Sequence, residues 1–234
     1  MSDRTARRTV AVLLATASVL AIAGFTALGS IFDYPAVLKH PAAEILTSFR
    51  EHQSGVTTWF LILTVSAALL APAGILLGRL IGGTAGRGVA IIGVAAAVVQ
   101  VVGLSRWVLL IPGVSADALD PATAAAAVDR FTGLHFWLGT IVGETVGYAL
   151  TATFTVLVVR AVAAPTWVRI LGYASAGLIA TGVIIPLGVG VASLTNFAGY
   201  VLWCLWLIVM AVVLWRADAA TVAETPAPAA AARG

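Results

Sequence analysis

The chain has 234 residues, of which 61% are hydrophobic and 10% are charged, and its mean hydropathy is +1.04. Soluble domains carry roughly 25% charged residues, so this composition excludes an ordinary water-soluble domain, which would lack polar surface. The formal net charge is +3, and no Lys/Arg run with interleaved aromatics indicates a nucleic-acid surface. A single cysteine, Cys204, excludes an intrachain disulfide and a metal site built on thiolates.

Six apolar runs predict an all-α, polytopic membrane protein with a six-helix transmembrane bundle. Each run can cross a hydrocarbon core of about 30 Å as a helix. The runs are continuous, without period-two alternation, which favours helices over a barrel. The predicted spans are residues 10–32, 57–77, 89–111, 134–159, 167–189 and 197–215. They form one domain, 1–216, followed by an Ala- and Pro-rich tail, 217–234, that is predicted to be disordered.

The loop charges predict the orientation. One side of the predicted membrane holds Arg4, Arg7, Arg8, Arg79, Arg87, Arg160, Arg169, Arg216 and Arg233, and the other holds Lys39, Arg50 and Arg130. The positive-inside rule therefore predicts that both termini are cytoplasmic in a multi-pass plasma-membrane protein. The arginines before the first run also fit a signal peptide. That run exceeds the roughly 7–15 residues of a signal h-region, which favours an uncleaved first helix.

Both long loops on the predicted outer side contain a short predicted helix. In the first loop, which follows Asp33-Tyr34-Pro35, apolar residues recur at helical spacing. They are Ala42, Ile45, Leu46 and Phe49. In the second loop, Asp120 is predicted to cap a helix with Pro121 in its first turn, running through residues 122–130 into the fourth span. Each helix is either a lid over a cavity or a brace at the membrane interface.

Two charged residues fall inside predicted spans, where charge is costly and indicates a functional site by default. Glu144 lies roughly 16 Å below the outer boundary, and Arg106 lies roughly 9 Å below it, at 1.5 Å per helical residue. The two spans are consecutive and antiparallel, so the Arg106 side chain is long enough to meet the Glu144 carboxylate. Such a pair either fixes the register of two helices, belongs to a ligand pocket, or couples to a proton or ion.

Helical spacing predicts two stripes on the fourth span. The polar and aromatic stripe comprises Trp137, Thr140, Glu144, Tyr148, Thr151 and Thr155. His135 precedes Glu144 by nine residues, which predicts that it lies about 180° round the helix. The small-residue stripe, Gly139, Gly143 and Gly147, predicts close approach of another helix, from this chain, a second copy or a partner.

The sixth span adds Asn196, Tyr200 and Trp203 at helical spacing. The candidate ligand-binding residues, predicted to line an outward-opening polar pocket, are therefore Arg106, Glu144, Tyr148, Asn196, Tyr200 and Trp203. No catalytic residue, metal ligand or cofactor motif is predicted.

Several short motifs share their order and spacing with one protein family. They are Asp33-Tyr34-Pro35, Arg106-Trp107 before Pro112, Gly143-Glu144-x-x-Gly147-Tyr148, and Asn196-x-x-Gly199-Tyr200-x-x-Trp203-x-x-Trp206. By these motifs, over nearly the whole chain, the sequence resembles an uncharacterised bacterial membrane family, domain of unknown function 4386. The resemblance implies a multi-span protein of the bacterial inner membrane, and it implies no activity, cofactor or catalytic residue.

Three functions fit these observations. The first is binding or transport of a small amphiphile around Glu144; Pro72 and Pro186, which predict kinks in spans two and five, are compatible with transport. The second is a structural or regulatory role without a ligand, in which the glycine stripe packs against a second copy of the chain or against a partner helix. The third is an intramembrane enzyme acting on a lipid, and the absence of a Ser or Cys nucleophile beside a base argues against it.

Overall fold

The described part of the chain is helical throughout. The structure, a computed structural model, describes residues 2–217, and within them it contains helices and no strand. The fold is therefore the predicted all-α membrane bundle. The predicted disordered tail lies outside the described residues, except for Ala217.

Six helical segments within residues 2–217 are long and apolar enough to cross a membrane, which confirms the six predicted spans. In chain order they are Asp3–Phe32, Gln53–Ile81, Gly83–Asp117, Ala124–Ala161, Thr166–Leu187 and Gly190–Arg216. We number them spans one to six. An even number of crossings brings Ser2 and Ala217 to the same end of the bundle, here the terminus end. The opposite end, with residues 33–52 and 118–123, is the loop end.

The helices that build these spans are mostly α-helical. Within residues 2–217, the α-helices are α1 Asp3–Phe32, α2 Ala42–Glu51, α3 Gln53–Ala68, α4 Leu70–Ile81, α5 Gly83–Leu109, α6 Ile111–Asp117, α7 Ala124–Leu134, α8 Gly147–Ala161, α9 Thr166–Ala180 and α10 Gly190–Arg216. A π-helix, His135–Val146, joins α7 to α8 inside span four. Two 3-10 helices, Ala36–Lys39 and Thr181–Leu187, complete the fold, and the second forms the end of span five.

Prolines mark the interruptions of spans two, three and five. Span two breaks at Leu69, between α3 and α4, and Pro72 follows within one turn. Pro112 lies in the first turn of α6, just after the break in span three, and Pro186 lies inside the 3-10 helix of span five. Proline has no N–H to donate to the carbonyl four residues earlier, so the α-helical hydrogen bonding is lost at these points. The interruptions at Pro72 and Pro186 agree with the kinks predicted from the sequence.

The six spans form a closed ring. Each span packs against its neighbour along the chain, and α10 of span six closes the ring against α1 of span one. Span three lies against both halves of span two and against the π-helix and α8 of span four. This arrangement turns one side of each span toward the interior of the ring, where a buried polar group from one span can meet groups from several others.

The interior contains two apolar cores at different heights. The core at the terminus end is built from the lower parts of α1, α4, α5, α8, α9 and α10, and Phe154 and Trp206 are among its largest side chains. The core at the loop end is aromatic: Phe32, Phe49, Phe60 and Phe131 surround Trp107, with ring centroids 4.9–6.5 Å apart. Polar side chains occupy the level between the two cores.

The two predicted loop-end helices are present, with one correction. The apolar stripe of α2 is buried, and Phe49 at 0% exposure packs into the aromatic core, so α2 covers the end of the bundle. The second helix, α7, begins at Ala124, with Thr123 at its N-cap position. The predicted cap at Asp120 is therefore wrong: its carboxylate accepts a hydrogen bond from the Ala122 N–H at 2.9 Å, and this stabilises a turn that precedes the helix.

Candidate functional site

Arg106 is the buried charge of span three, with 4% of its surface exposed. Its Nη1 donates to the carbonyl of Gly103 one turn earlier, and its Nη2 lies 3.4 Å from His135 Nδ1. The guanidinium also lies near the Trp107 ring, 5.3 Å from its centroid. Its Nε is buried and has no hydrogen-bond partner among residues 2–217. Arg106 is thus held in place by neutral groups, with hydrogen-bonding capacity left over.

Glu144 is the acidic residue of span four, and it does not bond to Arg106. Among residues 2–217 the ion pairs are His40–Glu44 and Arg130–Asp117, both at the loop end. The carboxyl of Glu144 has no hydrogen bond to any described residue, although it is close enough to Arg106 for an electrostatic interaction. The side chain is half-buried in the ring interior. The two membrane charges therefore interact electrostatically without a direct contact.

The π-helix explains why the predicted positions on span four are partly wrong. Hydrogen bonds from each residue to the fifth one before it give roughly 4.4 residues per turn, so nine residues make about two full turns. His135 therefore lies on the same side as Glu144, toward Arg106, and not opposite to it. Trp137, predicted on the Glu144 stripe, is 63% exposed on the outside of the ring for the same reason.

The glycine stripe packs against α5 of the same chain. A Cβ added to Gly143 would come within 2.9 Å of the Gly103 Cα, so the two backbones are in direct contact. Gly139 lies against the Arg106 guanidinium, and Gly147 lies against Gln100. The close helix approach predicted from this stripe is thus present between spans three and four. Association with a second copy or a partner helix is not tested by these contacts and stays a prediction.

Three tyrosines lie within electrostatic range of Glu144. Tyr34 follows span one, Tyr148 and Tyr200 belong to spans four and six, and each hydroxyl interacts electrostatically with the Glu144 carboxyl. The Tyr148 and Tyr200 rings meet edge to face at 5.6 Å. Tyr34 follows span one, and burial, together with the nearby Glu144, raises the pKa of its phenol above the ordinary value. Tyr34 is consequently a neutral hydrogen-bonding group. We call these three tyrosines, with Arg106 and Glu144, the polar layer.

The remaining predicted site residues lie beside the polar layer and have partners of their own. Asn196 is buried, and its Nδ2 donates to the Ile179 carbonyl at 2.8 Å, where α9 gives way to the 3-10 helix. Trp203 packs against Tyr200 at 5.9 Å, and its Nε1 donates to the Thr155 hydroxyl at 2.8 Å. Trp203 joins spans four and six below Tyr200, and Asn196 joins spans five and six one turn nearer the loop end.

Sequence reasoning missed three members of this region. Tyr34 was visible only as part of a helix-ending motif, and nothing in its spacing indicated contact with span four. Gln100, a polar residue in the apolar run of span three, donates to Thr151 at 2.7 Å beneath the polar layer. His135 was placed on the wrong side because the π-helix was not anticipated. An uncharged polar residue inside a span, such as Gln100, was the one available signal.

Comparison with known proteins places the chain in a family. A family model described as a domain of unknown function, DUF4386, matches residues 9–211. The match reaches into all six spans, and the chain belongs to this family. No curated protein and no solved structure matches it.

Proposed function

We propose that this protein binds a small amphiphilic molecule in the polar layer and transports it or holds it there. The observation that carries this proposal is that Arg106 and Glu144 share the ring interior without bonding to each other. A charge inside a membrane protein is costly, and a direct ion pair would recover much of that cost. If both groups bind a third molecule, that function explains why two costly charges are retained inside the membrane.

The π-helix supports the same proposal. π-turns are rare, are mostly single bulges within α-helices, and occur frequently at functional sites. Here twelve consecutive residues, His135–Val146, are π-helical, and Glu144 lies in this segment. The wider turn brings His135 and Glu144 to the side of the helix that faces Arg106. The irregular backbone is also placed where it adjoins the polar interior, which is where membrane proteins tolerate it.

The interrupted spans favour transport over permanent retention of the molecule. Transporters commonly place their binding site beside helices that break near the membrane midplane. Spans two and five break at Leu69 and after Ala180, and they are corresponding members of the first three and last three spans. Asn196 of span six bonds to the carbonyl of Ile179, one residue before the α-helical part of span five ends. A rearrangement of this break would therefore move span six and Tyr200 with it.

The proposal is binding or transport and not catalysis. An arginine, a carboxyl and tyrosine hydroxyls gathered inside an apolar bundle are suited to orient an amphiphile through charge and hydrogen bonds. We also propose a plasma-membrane location with both termini in the cytoplasm, supported by the excess of basic residues at the terminus end. The polar layer would then be nearer to the outer side, beneath α2.

Mass spectrometry of molecules that co-purify with the protein tests the proposal. We would compare the wild type with Glu144→Gln, which removes the charge and keeps the shape, and with Glu51→Gln as a matched control. Glu51 is an exposed acid at the loop end. An amphiphile enriched in the wild type and in Glu51→Gln, and depleted about tenfold in Glu144→Gln, is the expected result. Equal amounts of every amphiphile in the three samples would refute ligand binding at Glu144.

A further inference from the structure

The polar layer has a cationic end with unsatisfied hydrogen-bond donors and an anionic end with unsatisfied acceptors. A guanidinium has five N–H donors, and Arg106 uses Nη1 on Gly103 and Nη2 on the long 3.4 Å contact with His135. Since hydrogen bonds of this type are normally 2.7–3.2 Å, the His135 contact is weak and an anionic oxygen would replace it favourably. Arg106 Nε has no acceptor among the described residues. This end of the layer is therefore suited to an anionic group.

The other end is suited to an ammonium group. The carboxyl of Glu144 receives no hydrogen bond from any residue that the structure describes, so it retains its full capacity as an acceptor. Two tyrosines interact electrostatically with this carboxyl, Tyr148 and Tyr200, and their rings meet edge to face at 5.6 Å. Trp203 extends this aromatic cluster and packs against Tyr200 at 5.9 Å. A carboxylate together with aromatic faces is the usual means of binding an alkylated ammonium ion in proteins.

Charge balance selects a ligand that carries both groups. When Glu144 is ionised, Arg106 and Glu144 together contribute no net charge to the ring interior. A ligand with a single charge would leave the layer with an uncompensated charge in a medium of low dielectric constant, which is unfavourable. A ligand with one positive and one negative group supplies each protein charge with an opposite partner and keeps the layer neutral.

We propose that the ligand is zwitterionic, with an anionic group bound by Arg106 and an ammonium group bound by Glu144 among the tyrosines. This inference rests on the proposed binding function and specifies its ligand class. An apolar chain would complete the amphiphile and would lie against the apolar core of the ring. The same head-group chemistry is found in membrane lipids and in small soluble zwitterions, and these two sources differ in whether the apolar chain contributes to binding.

Four short-chain probes separate these possibilities without acting as detergents. Hexylphosphocholine carries both charges and a chain, hexyltrimethylammonium carries only the cation, hexyl phosphate carries only the anion, and phosphocholine has no chain. Each is added to the full-length protein in a non-ionic detergent, and the shift in the melting temperature is followed by the fluorescence of its seven tryptophans. We expect hexylphosphocholine to bind at least about tenfold more tightly than each of the other three.

The outcomes distinguish the zwitterion inference from the function on which it rests. Equal binding of the three alkyl probes would overturn the zwitterion inference and leave amphiphile binding intact. Equal binding of phosphocholine and hexylphosphocholine would support a zwitterionic head group and would overturn the claim that an apolar chain contributes to binding. No response to any probe would overturn both the zwitterion inference and, together with unchanged co-purification, the proposed function.

Variants at each end of the layer give a second, independent readout. Glu144→Gln is expected to bind hexylphosphocholine no better than hexyl phosphate, because the ammonium group loses its partner. Arg106→Gln is expected to bind hexylphosphocholine no better than hexyltrimethylammonium, because the anionic group loses its partner. If Arg106→Gln fails to fold, the Glu144→Gln comparison alone decides, with Glu51→Gln as the control that retains the wild-type preferences. Retained preferences in Glu144→Gln would refute the assignment of the ammonium group.

Discussion

The guanidinium of Arg106 lies directly on the backbone of Gly139, where a side-chain carbon would come to 2.6 Å from Nη2. The buried Arg106 guanidinium can therefore occupy this position only because residue 139 has no side chain. Spans three and four share this contact, and it places Arg106 at the edge of the polar layer instead of against the Glu144 carboxyl.

Gly139→Ala should displace Arg106. The added methyl group overlaps the guanidinium, which is enclosed and cannot move freely, and overpacking of this kind typically costs about 1–3 kcal/mol. We expect a lower melting temperature and weaker binding of hexylphosphocholine. Gly133→Ala in α7 is the control, because a Cβ there meets nothing within 4 Å. Identical melting and binding of the two variants would show that the contact with Gly139 does not position Arg106.

Gly103→Ala should destabilise the pairing of spans three and four. Its Cβ would lie 2.6 Å from the Gly143 Cα, and two backbones must separate to admit it. The expected loss is at the upper end of about 1–3 kcal/mol, because neither backbone can adjust as a side chain does. Thermal unfolding measures it, with Gly113→Ala in α6, where nothing lies within 4 Å, as the control. A melting temperature equal to that of the control would contradict this packing.

Thr155→Val tests the contact that holds span six below the tyrosines. The change keeps the shape of the side chain and removes the acceptor for Trp203 Nε1, which leaves a buried donor unsatisfied at a cost of about 1 kcal/mol. Thr153→Val is the matched control, since Thr153 is exposed and bonds only to the Ala149 carbonyl. Equal unfolding temperatures for the two valine variants would mean that the Trp203 bond contributes little.

Cysteine labelling tests the proposed orientation. The single native cysteine, Cys204, is buried, and Cys204→Ala provides a background without thiols. In that background, Ala122→Cys at the loop end should react with a membrane-impermeant maleimide in intact cells. Thr84→Cys, in the first turn of α5 at the terminus end, should react only after the membrane is opened. Both positions are exposed. The reverse pattern would place the termini outside.

The spans could be predicted because a run of about twenty apolar residues has few stable structures other than a membrane-spanning helix. Their ends could not be predicted as well. Span four begins at Ala124 and not near residue 134, because α7 carries Asp129 and Arg130 and continues the helix above the apolar run. The amphipathic α2 was predicted correctly, since the spacing of Ile45, Leu46 and Phe49 reports a buried face wherever that face packs.

The structure brings together several of the residues predicted for the candidate site, and their role in binding stays a prediction. Arg106, Glu144, Tyr148 and Tyr200 were identified from their polarity inside apolar runs, and the structure brings them together. The π-helix leaves no trace in the hydrophobic pattern, because both helix types satisfy the backbone within the segment and differ only in which carbonyl each N–H meets. The angular positions of His135 and Trp137 therefore could not be derived from α-helical spacing.

The central claim is that the unpaired Arg106 and Glu144 serve a ligand and are not retained to hold the bundle together. The most direct measurement is the melting temperature of Glu144→Gln, with and without hexylphosphocholine, beside the wild type and Glu51→Gln. We predict that Glu144→Gln melts close to the wild type without the probe and that the probe no longer stabilises it. A clear drop in the unliganded melting temperature, with the stabilisation by the probe retained, would contradict the claim and assign Glu144 to the architecture of the ring.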